Sequence, residues 1–439
     1  MKKLKLFFVA VFMTVFTANS LFAADRNEIL KVYNWGDYID ESLIADFEQW
    51  YLEQTGEKVE IIYQIFDINE IMLTKIEKGQ EDYDVVCPSE YIIQRMLNKD
   101  MLLPINQDFG NTPNYIKNIS PFINNELDKL SHSNRKASDY AVAYMWGTCG
   151  LLYNTEYLNQ DDVKSWGILW DERLENKILM KDAYKDIYGI GATYILRDKL
   201  ASGELTIDQV ITNTDPEIME QVEELLMKMK PNIAGWEADF GKELMTKGNT
   251  WLNVTWSGDA VWAIEEAAAV GLELDYYVPV EGSNIWYDGW VIPKYAQNLK
   301  AASYFINYMC RSDVALRNMD EIGYVSAVAT PEILEAIVDS SYTEVLNLSY
   351  FFGEGTDSIR TNPVWYPDQT VANRCAMLMD YTPEDIESVL AMWSRLKGDN
   401  LSKEMGLIIA AVVFLIVLFF VLKTRNKRNK RKTYGKRKK

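Results

Sequence analysis

Residues 30–97 read LKVYNWGDYIDESLIADFEQWYLEQTGEKVEIIYQIFDINEIMLTKIEKGQEDYDVVCPSEYIIQRML, and this stretch decides the fold class. Its short apolar or alternating runs predict strands at 30–33, 58–66 and 83–87. Its amphipathic runs predict helices at 41–55, 69–78 and 90–97. A strand–helix order repeated three times predicts an α/β fold with a mainly parallel sheet.

The same rhythm continues through the rest of the chain without an internal repeat. Further helices are predicted at 216–229, 259–270 and 299–310. Further strands are predicted at 251–255, 274–278 and 289–292. Two lobes that share interleaved chain segments suit this order better than separate consecutive domains.

The two ends of the chain differ from its centre. Lys2, Lys3 and Lys5 precede an apolar run at 6–16, so residues 1–23 are predicted to be a signal peptide. Residues 405–422 carry no charge and are long enough for a transmembrane helix. Residues 423–439 hold eleven basic side chains, typical of a cytoplasmic tail. We therefore expect a single-pass protein of the cytoplasmic membrane, with its ligand-binding part on the periplasmic or extracellular side.

The central region is strongly acidic. Without the three N-terminal lysines and the eleven basic residues of the tail, 31 basic residues face 64 acidic ones, a net charge of −33. Such a surface repels nucleic acid and anionic ligands and attracts cations. The four cysteines lack metal-ligand spacing, and the one histidine, His132, lies in a polar stretch. No nucleophile with a base, cofactor loop or metal cluster is found, so we expect neither an enzyme nor a cofactor.

Aromatic and acidic side chains follow several of the predicted strands. Ligands of open α/β sheets bind at the carboxyl ends of strands, which makes these side chains candidates for a site. They are Trp35, Asp37, Tyr38, Ser89, Tyr91, Trp256 and Asp259. Trp286 and Asp288 add a further aromatic and acidic cluster at the start of the strand predicted at 289–292. Aromatic faces attract ammonium groups and pack on methylenes, and carboxylates bind ammonium by charge-assisted hydrogen bonds. The set predicts an elongated alkyl ligand with an ammonium at each end, although Asp259 also fits the N-cap of the following helix.

Six motifs, taken in order, resemble those of bacterial polyamine-binding proteins, the substrate-binding subunits of spermidine/putrescine ABC importers. They are YNWGDY at 33–38, YDVVCPSEY at 83–91, YMWG at 144–147, WSGD at 256–259, IWYD at 285–288 and IGY at 322–324. The resemblance implies a two-lobed periplasmic-binding-protein fold of type II. Lobe 1 would comprise 24–146 with about 288–328, and lobe 2 would comprise 147–287 with about 329–400. The implied partners are a polyamine and the ABC permease subunits with their ATPase.

The resemblance also implies roles for individual residues. Trp35, Tyr38, Trp256 and Trp286 would sandwich the methylene chain, and Tyr91 and Tyr324 would complete the box. Ser89 would form a hydrogen bond, and Asp288 would bind one ammonium. The second-lobe acidic motif resembles residues 182–188, which makes Asp186 the ligand carboxylate and Asp182 its competitor.

The ligand preference follows from single positions within these motifs. Asp37 and Asp259 resemble the putrescine-preferring branch of the family, whereas Trp286 resembles the spermidine-preferring branch. Putrescine is therefore slightly favoured as the cargo of the importer. The alternative function is a polyamine sensor that signals through a membrane partner.

Overall fold

The computed structural model describes residues 25–79, 81–237 and 240–398. The strands are β1 Ile29–Trp35, β2 Glu60–Phe66, β3 Val85–Val86, β4 Leu102–Leu103, β5 Ala141–Asn154, β6 Ile178–Lys181, β7 Ile233–Glu237, β8 Leu252–Trp256, β9 Leu274–Tyr277, β10 Ser283–Pro293, β11 Val325–Ser326 and β12 Cys375–Ala376. The α-helices are α1 Ser42–Thr55, α2 Asn69–Glu77, α3 Glu90–Asn98, α4 Pro121–Asp128, α5 Tyr184–Ile195, α6 Arg197–Ala201, α7 Ile207–Val210, α8 Pro216–Met229, α9 Gly241–Thr246, α10 Ser257–Ala269, α11 Leu299–Met309, α12 Ser312–Ile322, α13 Pro331–Ile337, α14 Ser349–Phe352, α15 Gln369–Ala372 and α16 Pro383–Gly398. Short 3₁₀ helices occupy Arg26–Glu28, Tyr115–Asn118, Ala137–Asp139, Trp166–Trp170, Glu172–Leu174 and Lys230–Asn232.

Eight of the strands form a path of hydrogen-bonded neighbours in the order β2-β1-β3-β10-β5-β8-β6-β7. Beside this path, β4 and β12 pair with β10, and β9 and β11 pair with β5. At one end, β1 pairs with β2 and β3 in parallel. At the other end, β6 pairs with β7 and β8 in parallel. The antiparallel strands β5 and β10 lie between these two parallel groups. The α/β class agrees with the prediction, but the predicted mainly parallel sheet is interrupted by the long antiparallel strands β5 and β10.

The long strands β5 and β10 connect two lobes. The first half of β5 pairs with β10, and its second half pairs with β8 and β9. The pairing of β5 and β10 shifts register between Asp288 and Gly289. We call the part built on β1–β4 and β11 lobe 1 and the part built on β6–β9 and β12 lobe 2. Both long strands are buried along their whole length, so the junction is part of the core.

Helix α1 illustrates how the local sequence determines the packing. Its buried residues Leu43, Phe47, Trp50 and Tyr51 recur at spacings of three and four, so they share one face. Phe47 is fully buried with its ring 5.2 Å from that of Phe305 on α11. Burying a side chain of this size stabilises the fold by about 1.5–3 kcal/mol. The helix ends where the next residue adopts φ 74°, a backbone conformation that favours the glycine found there.

One part of the fold prediction is wrong. Within residues 25–79, 81–237 and 240–398, no helix is long and apolar enough to cross a membrane. The residues on which the transmembrane prediction rested, 405–422, lie outside these ranges, as do the signal peptide and the basic tail. The fold of the described residues is therefore corrected to the two lobes, and none of the helices in these ranges is a membrane helix. The residue bounds predicted for the lobes stay a prediction.

The four cysteines all lie in the described part of the chain. They are buried as free thiols at Cys87, Cys149, Cys310 and Cys375. Burial raises the pKa of each thiol above its ordinary value, to about 12 for Cys375 and further for the other three. Neutral buried thiols act as small apolar groups in the core.

Candidate ligand-binding site

The first anchor of the candidate site is Asp288, at the register shift of β10. Its side chain is buried, and its two oxygens accept hydrogen bonds from Tyr38 Oη at 2.9 Å and Ser89 Oγ at 2.7 Å. Both donors are neutral hydroxyls. Burial raises the pKa of Asp288 to about 6, against the effect of these two hydrogen bonds. A buried carboxylate held only by neutral donors is a strong attractor for a cation.

The surroundings of Asp288 are fixed by helices α2 and α3. Asn69 Nδ2 donates to Ser89 Oγ and to Tyr91 Oη, both at 3.0 Å, which orients the two hydroxyls. Below them, Glu90 is buried and accepts a hydrogen bond from the Tyr287 amide at 3.2 Å. Burial and the charge of Asp288 raise the pKa of Glu90 well above its ordinary range.

An aromatic wall lies beside Asp288. The ring of Tyr324 packs edge-on against Tyr38 at 5.6 Å and against Trp286 at 5.4 Å. Close packing around these rings leaves no space for a side chain at two positions of the motifs, both of which are glycine. A Cβ at Gly258 would lie 2.4 Å from the Tyr324 ring, and a Cβ at Gly147 would lie 2.7 Å from the Trp286 ring. Any larger residue at either position would displace the wall.

The second anchor is Asp186, in the first turn of α5. It is buried, and its Oδ1 accepts hydrogen bonds from Trp256 Nε1 at 3.3 Å and Asn284 Nδ2 at 3.1 Å. Burial raises the pKa of Asp186, and these two hydrogen bonds oppose that rise. Its competitor Asp182 is exposed and forms an ion pair with Lys397. The geometry thus places Asp186, and not Asp182, beside the indole of Trp256.

A third acidic residue, Asp259, is already paired within the protein. Its Oδ2 accepts a hydrogen bond from Lys181 Nζ at 2.7 Å, and its Oδ1 accepts one from Tyr324 Oη at 2.8 Å. Lys181 also lies 3.2 Å from Glu237 and 4.4 Å from the centre of the Trp256 ring. Burial acts to raise the pKa of Asp259, but the charges of Lys181 and Lys242 lower it below its ordinary value.

The remaining predicted residues lie at the edge of this group. Trp35 is half-buried, with its ring 4.5 Å from that of Phe66. Asp37 is exposed and adopts φ 50°, so its side chain belongs to the surface of the loop after β1. The half-buried Tyr91 also donates to Glu70 Oε1 at 3.3 Å.

Several contacts join the two lobes around the site. Tyr184 of lobe 2 donates to Glu70 of lobe 1 at 3.3 Å. Lys185 Nζ lies 4.7 Å from the centre of the Tyr91 ring. Arg95 on α3 forms an ion pair of 2.6 Å with Asp380, next to Tyr381, whose ring packs edge-on against that of Tyr188 on α5. The two lobes are therefore in contact across the site.

Sequence reasoning missed several polar residues of the site. Lys181 and Glu237 end β6 and β7, two strands that were not predicted, and Asn284 belongs to the unpredicted first half of β10. The rule that ligand-facing residues follow strand ends would have found Lys181 and Glu237 had those strands been recognised. In the described ranges, no group of three or more His, Cys, Asp or Glu side chains is arranged to hold a metal ion.

The family model for bacterial extracellular solute-binding proteins matches residues 42–337. The chain belongs to this family. Its relatives include the spermidine/putrescine-binding periplasmic protein of Salmonella typhimurium, 28% identical over 69% of this chain and 78% of the relative. Another is the putrescine-binding periplasmic protein PotF of Escherichia coli, 26% identical over 85% of this chain and 93% of the relative. A solved structure titled a putative spermidine/putrescine ABC transporter, from Listeria monocytogenes, superposes with a TM-score of 0.66 and 28% identity, covering 84% of this chain and 99% of that one.

Membership in a family of solute-binding proteins confirms the resemblance to bacterial polyamine-binding proteins that the six motifs indicated. It also confirms the prediction that the chain is not an enzyme. The predicted localisation is corrected. Both relatives are named as periplasmic proteins, and no helix in the described residues can span a membrane, so the expectation of a single-pass membrane protein is not supported.

Proposed function

We propose that this solute-binding protein captures a polyamine, with putrescine preferred over spermidine, and delivers it to the permease and ATPase of an ABC importer. The names of the relatives support the ligand class, since they are described as binding spermidine or putrescine. The observation that carries the proposal is a pair of buried carboxylates, Asp288 on β10 and Asp186 on α5, of which Asp186 accepts a hydrogen bond from Asn284 on β10.

The spacing of this pair favours a diamine. Asn284, Trp286 and Asp288 alternate along β10 and so point to one face of the sheet. Four residues of strand, at about 3.3 Å each, separate the two ends of this face by about 13 Å. A four-carbon diamine extends about 6 Å between its nitrogens, and two charge-assisted hydrogen bonds add about 6 Å. A strand span of this order accommodates putrescine, which supports the proposed preference, and the extra aminopropyl arm of spermidine adds about 5 Å.

In this proposal each ammonium has its own set of acceptors. One binds Asp288, where Ser89 and Tyr38 hold the carboxylate in place. The other binds Asp186 and reaches Asn284 Oδ1, a buried carbonyl oxygen that accepts no hydrogen bond from the described residues. Carboxylates at both ends disfavour zwitterions, because their own carboxylate would meet a like charge.

The aromatic side chains would contact the methylene chain between these ends. Trp286 lies between Asn284 and Asp288 on β10. Its ring packs against that of Tyr324, which packs in turn against Tyr38. Trp256, Tyr91 and Trp35 would complete the proposed enclosure. Asp37, which is exposed, and Asp259, whose two oxygens accept hydrogen bonds within the protein, lie outside the proposed set of contacts.

Lobe closure would follow from the contacts that cross the cleft. The hydrogen bond from Tyr184 to Glu70 and the ion pair between Arg95 and Asp380 both join the lobes without direct contact with the proposed ligand position. A ligand that bridges Asp288 and Asp186 adds attraction between the same lobes. Binding would therefore shift the lobes toward the closed state by hinge motion.

Titration calorimetry with putrescine, cadaverine, spermidine and 4-aminobutyrate tests the proposal. We expect micromolar or tighter binding of putrescine, weaker binding of spermidine, and none of 4-aminobutyrate, in which a carboxylate replaces one ammonium. Absence of heat for all three polyamines would contradict the proposed function. Tighter binding of spermidine than of putrescine would contradict the proposed preference.

A further inference from the structure

A buried lysine lies where the ends of three parallel strands meet in lobe 2. Lys181 ends β6, Glu237 ends β7 and Trp256 ends β8. The exposed fraction of the Lys181 side chain is 1%, and those of its partners Glu237 and Asp259 are 0% and 5%. A charged amine this deep requires compensation by its surroundings, because burial removes its hydration.

The contacts of the Lys181 ammonium are those of a bound amine ligand. It donates to Asp259 Oδ2 at 2.7 Å and lies 4.4 Å from the centre of the Trp256 ring. A carboxylate and an indole face are the two groups that would hold a polyamine nitrogen. The chain thus places one of its own ammonium groups against the WSGD motif.

This lysine is directly linked to the proposed pocket. The Trp256 ring that it contacts donates through Nε1 to Asp186. Asp259 accepts a hydrogen bond from Tyr324, whose ring packs against Trp286. A ligand ammonium that entered the space of the Lys181 ammonium would therefore be adjacent to the aromatic wall and to Asp186.

We propose that Lys181 determines ligand specificity by occupying the ammonium subsite formed by Asp259 and Trp256, so that only Asp288 and Asp186 are left for ligand nitrogens. This inference rests on the proposed function as a polyamine-binding protein. Asp288 and Asp186 then pair with the two ammonium groups of a diamine. The third ammonium of spermidine would have to pair with Asp259, whose charge is already balanced by Lys181. Asp259 acts through Lys181 and does not contact the ligand.

The pKa shifts of Lys181 and Asp259 agree with an ion pair between them. Burial acts to lower the pKa of Lys181, but the charges of Asp259 and Glu237 outweigh it and raise the pKa above its ordinary value. The pKa of Asp259 lies below its ordinary value, as described above. Both groups are therefore charged at neutral pH, and the subsite holds a cation without a ligand.

Affinities for putrescine and spermidine, measured by titration calorimetry on the full chain, test the inference. Lys181→Met removes the ammonium and keeps an unbranched apolar side chain of similar reach. We expect the ratio of spermidine to putrescine affinity to rise at least tenfold, because Asp259 becomes available to the third ammonium. In the double variant Lys181→Met/Asp259→Asn this gain should disappear. Lys247→Met, at an exposed lysine, is the matched control and should leave the ratio unchanged.

A ratio that stays within threefold of the wild type in folded Lys181→Met would overturn the inference. Asp259→Asn provides an independent test if Lys181→Met does not fold, since Lys181 keeps Glu237 as a partner. We expect its putrescine affinity to stay within threefold of the wild type, and a loss of tenfold or more would show direct ligand contact and overturn the inference. Wild-type protein that binds no polyamine would instead refute the proposed function itself, before any variant is compared.

Discussion

Replacing Asp288 with asparagine should stabilise the ligand-free protein while it weakens ligand binding. The side chain is buried, and burial raises the pKa of its carboxyl from 3.8 to about 6. Each pH unit of that rise corresponds to about 1.4 kcal/mol, so the ionised carboxylate costs the ligand-free fold about 3 kcal/mol at pH 7.5. Asparagine removes the charge and can still form hydrogen bonds with Tyr38 and Ser89.

The stabilisation of the ligand-free protein by Asp288→Asn should increase with rising pH. Between the ordinary pKa and about 6, the carboxyl ionises in the unfolded chain but stays protonated in the folded one, so the penalty grows with rising pH. The stabilisation by Asp288→Asn should be about 3 kcal/mol at pH 7.5 and under about 1 kcal/mol at pH 4.0. Equilibrium unfolding in urea at the two pH values measures it, and Asp320→Asn, at an exposed aspartate, is the matched control.

The same substitution should weaken ligand binding, although it stabilises the ligand-free protein. We expect Asp288→Asn to weaken putrescine binding at least tenfold, because a buried ammonium loses its paired charge. Putrescine at a hundred times its dissociation constant should stabilise the wild type by about 2.7 kcal/mol, and the same concentration should stabilise the variant much less. A variant that is less stable than the wild type without ligand, or equally stabilised by putrescine, would refute the reasoning.

Three further predictions concern the other anchor, the pH and the lobe contacts. Asp186→Asn should lower putrescine affinity at least tenfold in calorimetry, whereas Asp182→Asn should leave it unchanged; equal effects would contradict the choice between them. Lowering the pH from 7.5 to 5.0 should weaken binding about tenfold, because Asp288 with a pKa of about 6 becomes protonated while the amines stay charged; a flat profile would contradict a role for this carboxylate. Arg95→Gln should remove the ion pair with Asp380 and speed putrescine dissociation in stopped-flow fluorescence, and an unchanged rate would show that this pair does not hold the closed state.

Several local elements of both lobes could be predicted because their patterns are short and strongly periodic. The helix predicted at 41–55 is observed as α1, and the helix predicted at 216–229 has the same bounds as α8. The amphipathic face of each helix is a local property of the sequence. Helix boundaries followed from residues such as Gly56, whose positive φ ends α1.

The connection between the lobes could not be predicted from periodicity. Strand β5 is buried over its whole length, so its sequence does not alternate between apolar and polar residues. Strand β10 was predicted only over 289–292, whereas it extends over Ser283–Pro293 and pairs with β5, about 140 residues earlier. Pairing over such a separation is determined by the whole fold, and no local pattern encodes it.

Candidate residues could be named from the sequence where side chains flank recognised strands. Tyr38 and Ser89 both donate hydrogen bonds to Asp288, so the structure brings these three together, and their roles toward a ligand stay predictions. The pairing of Asp259 with Lys181 was not foreseen, because it requires knowledge that β6 and β8 are parallel neighbours. Asp259 is buried, and its two oxygens accept hydrogen bonds from Lys181 and Tyr324.

A crystal structure of the protein with putrescine tests the central claim most directly. We predict one ammonium within hydrogen-bond distance of Asp288, the other within hydrogen-bond distance of Asp186, and the methylenes against Trp286. Putrescine bound outside the space between Asp288 and Asp186, or with neither carboxylate in contact, would contradict the account.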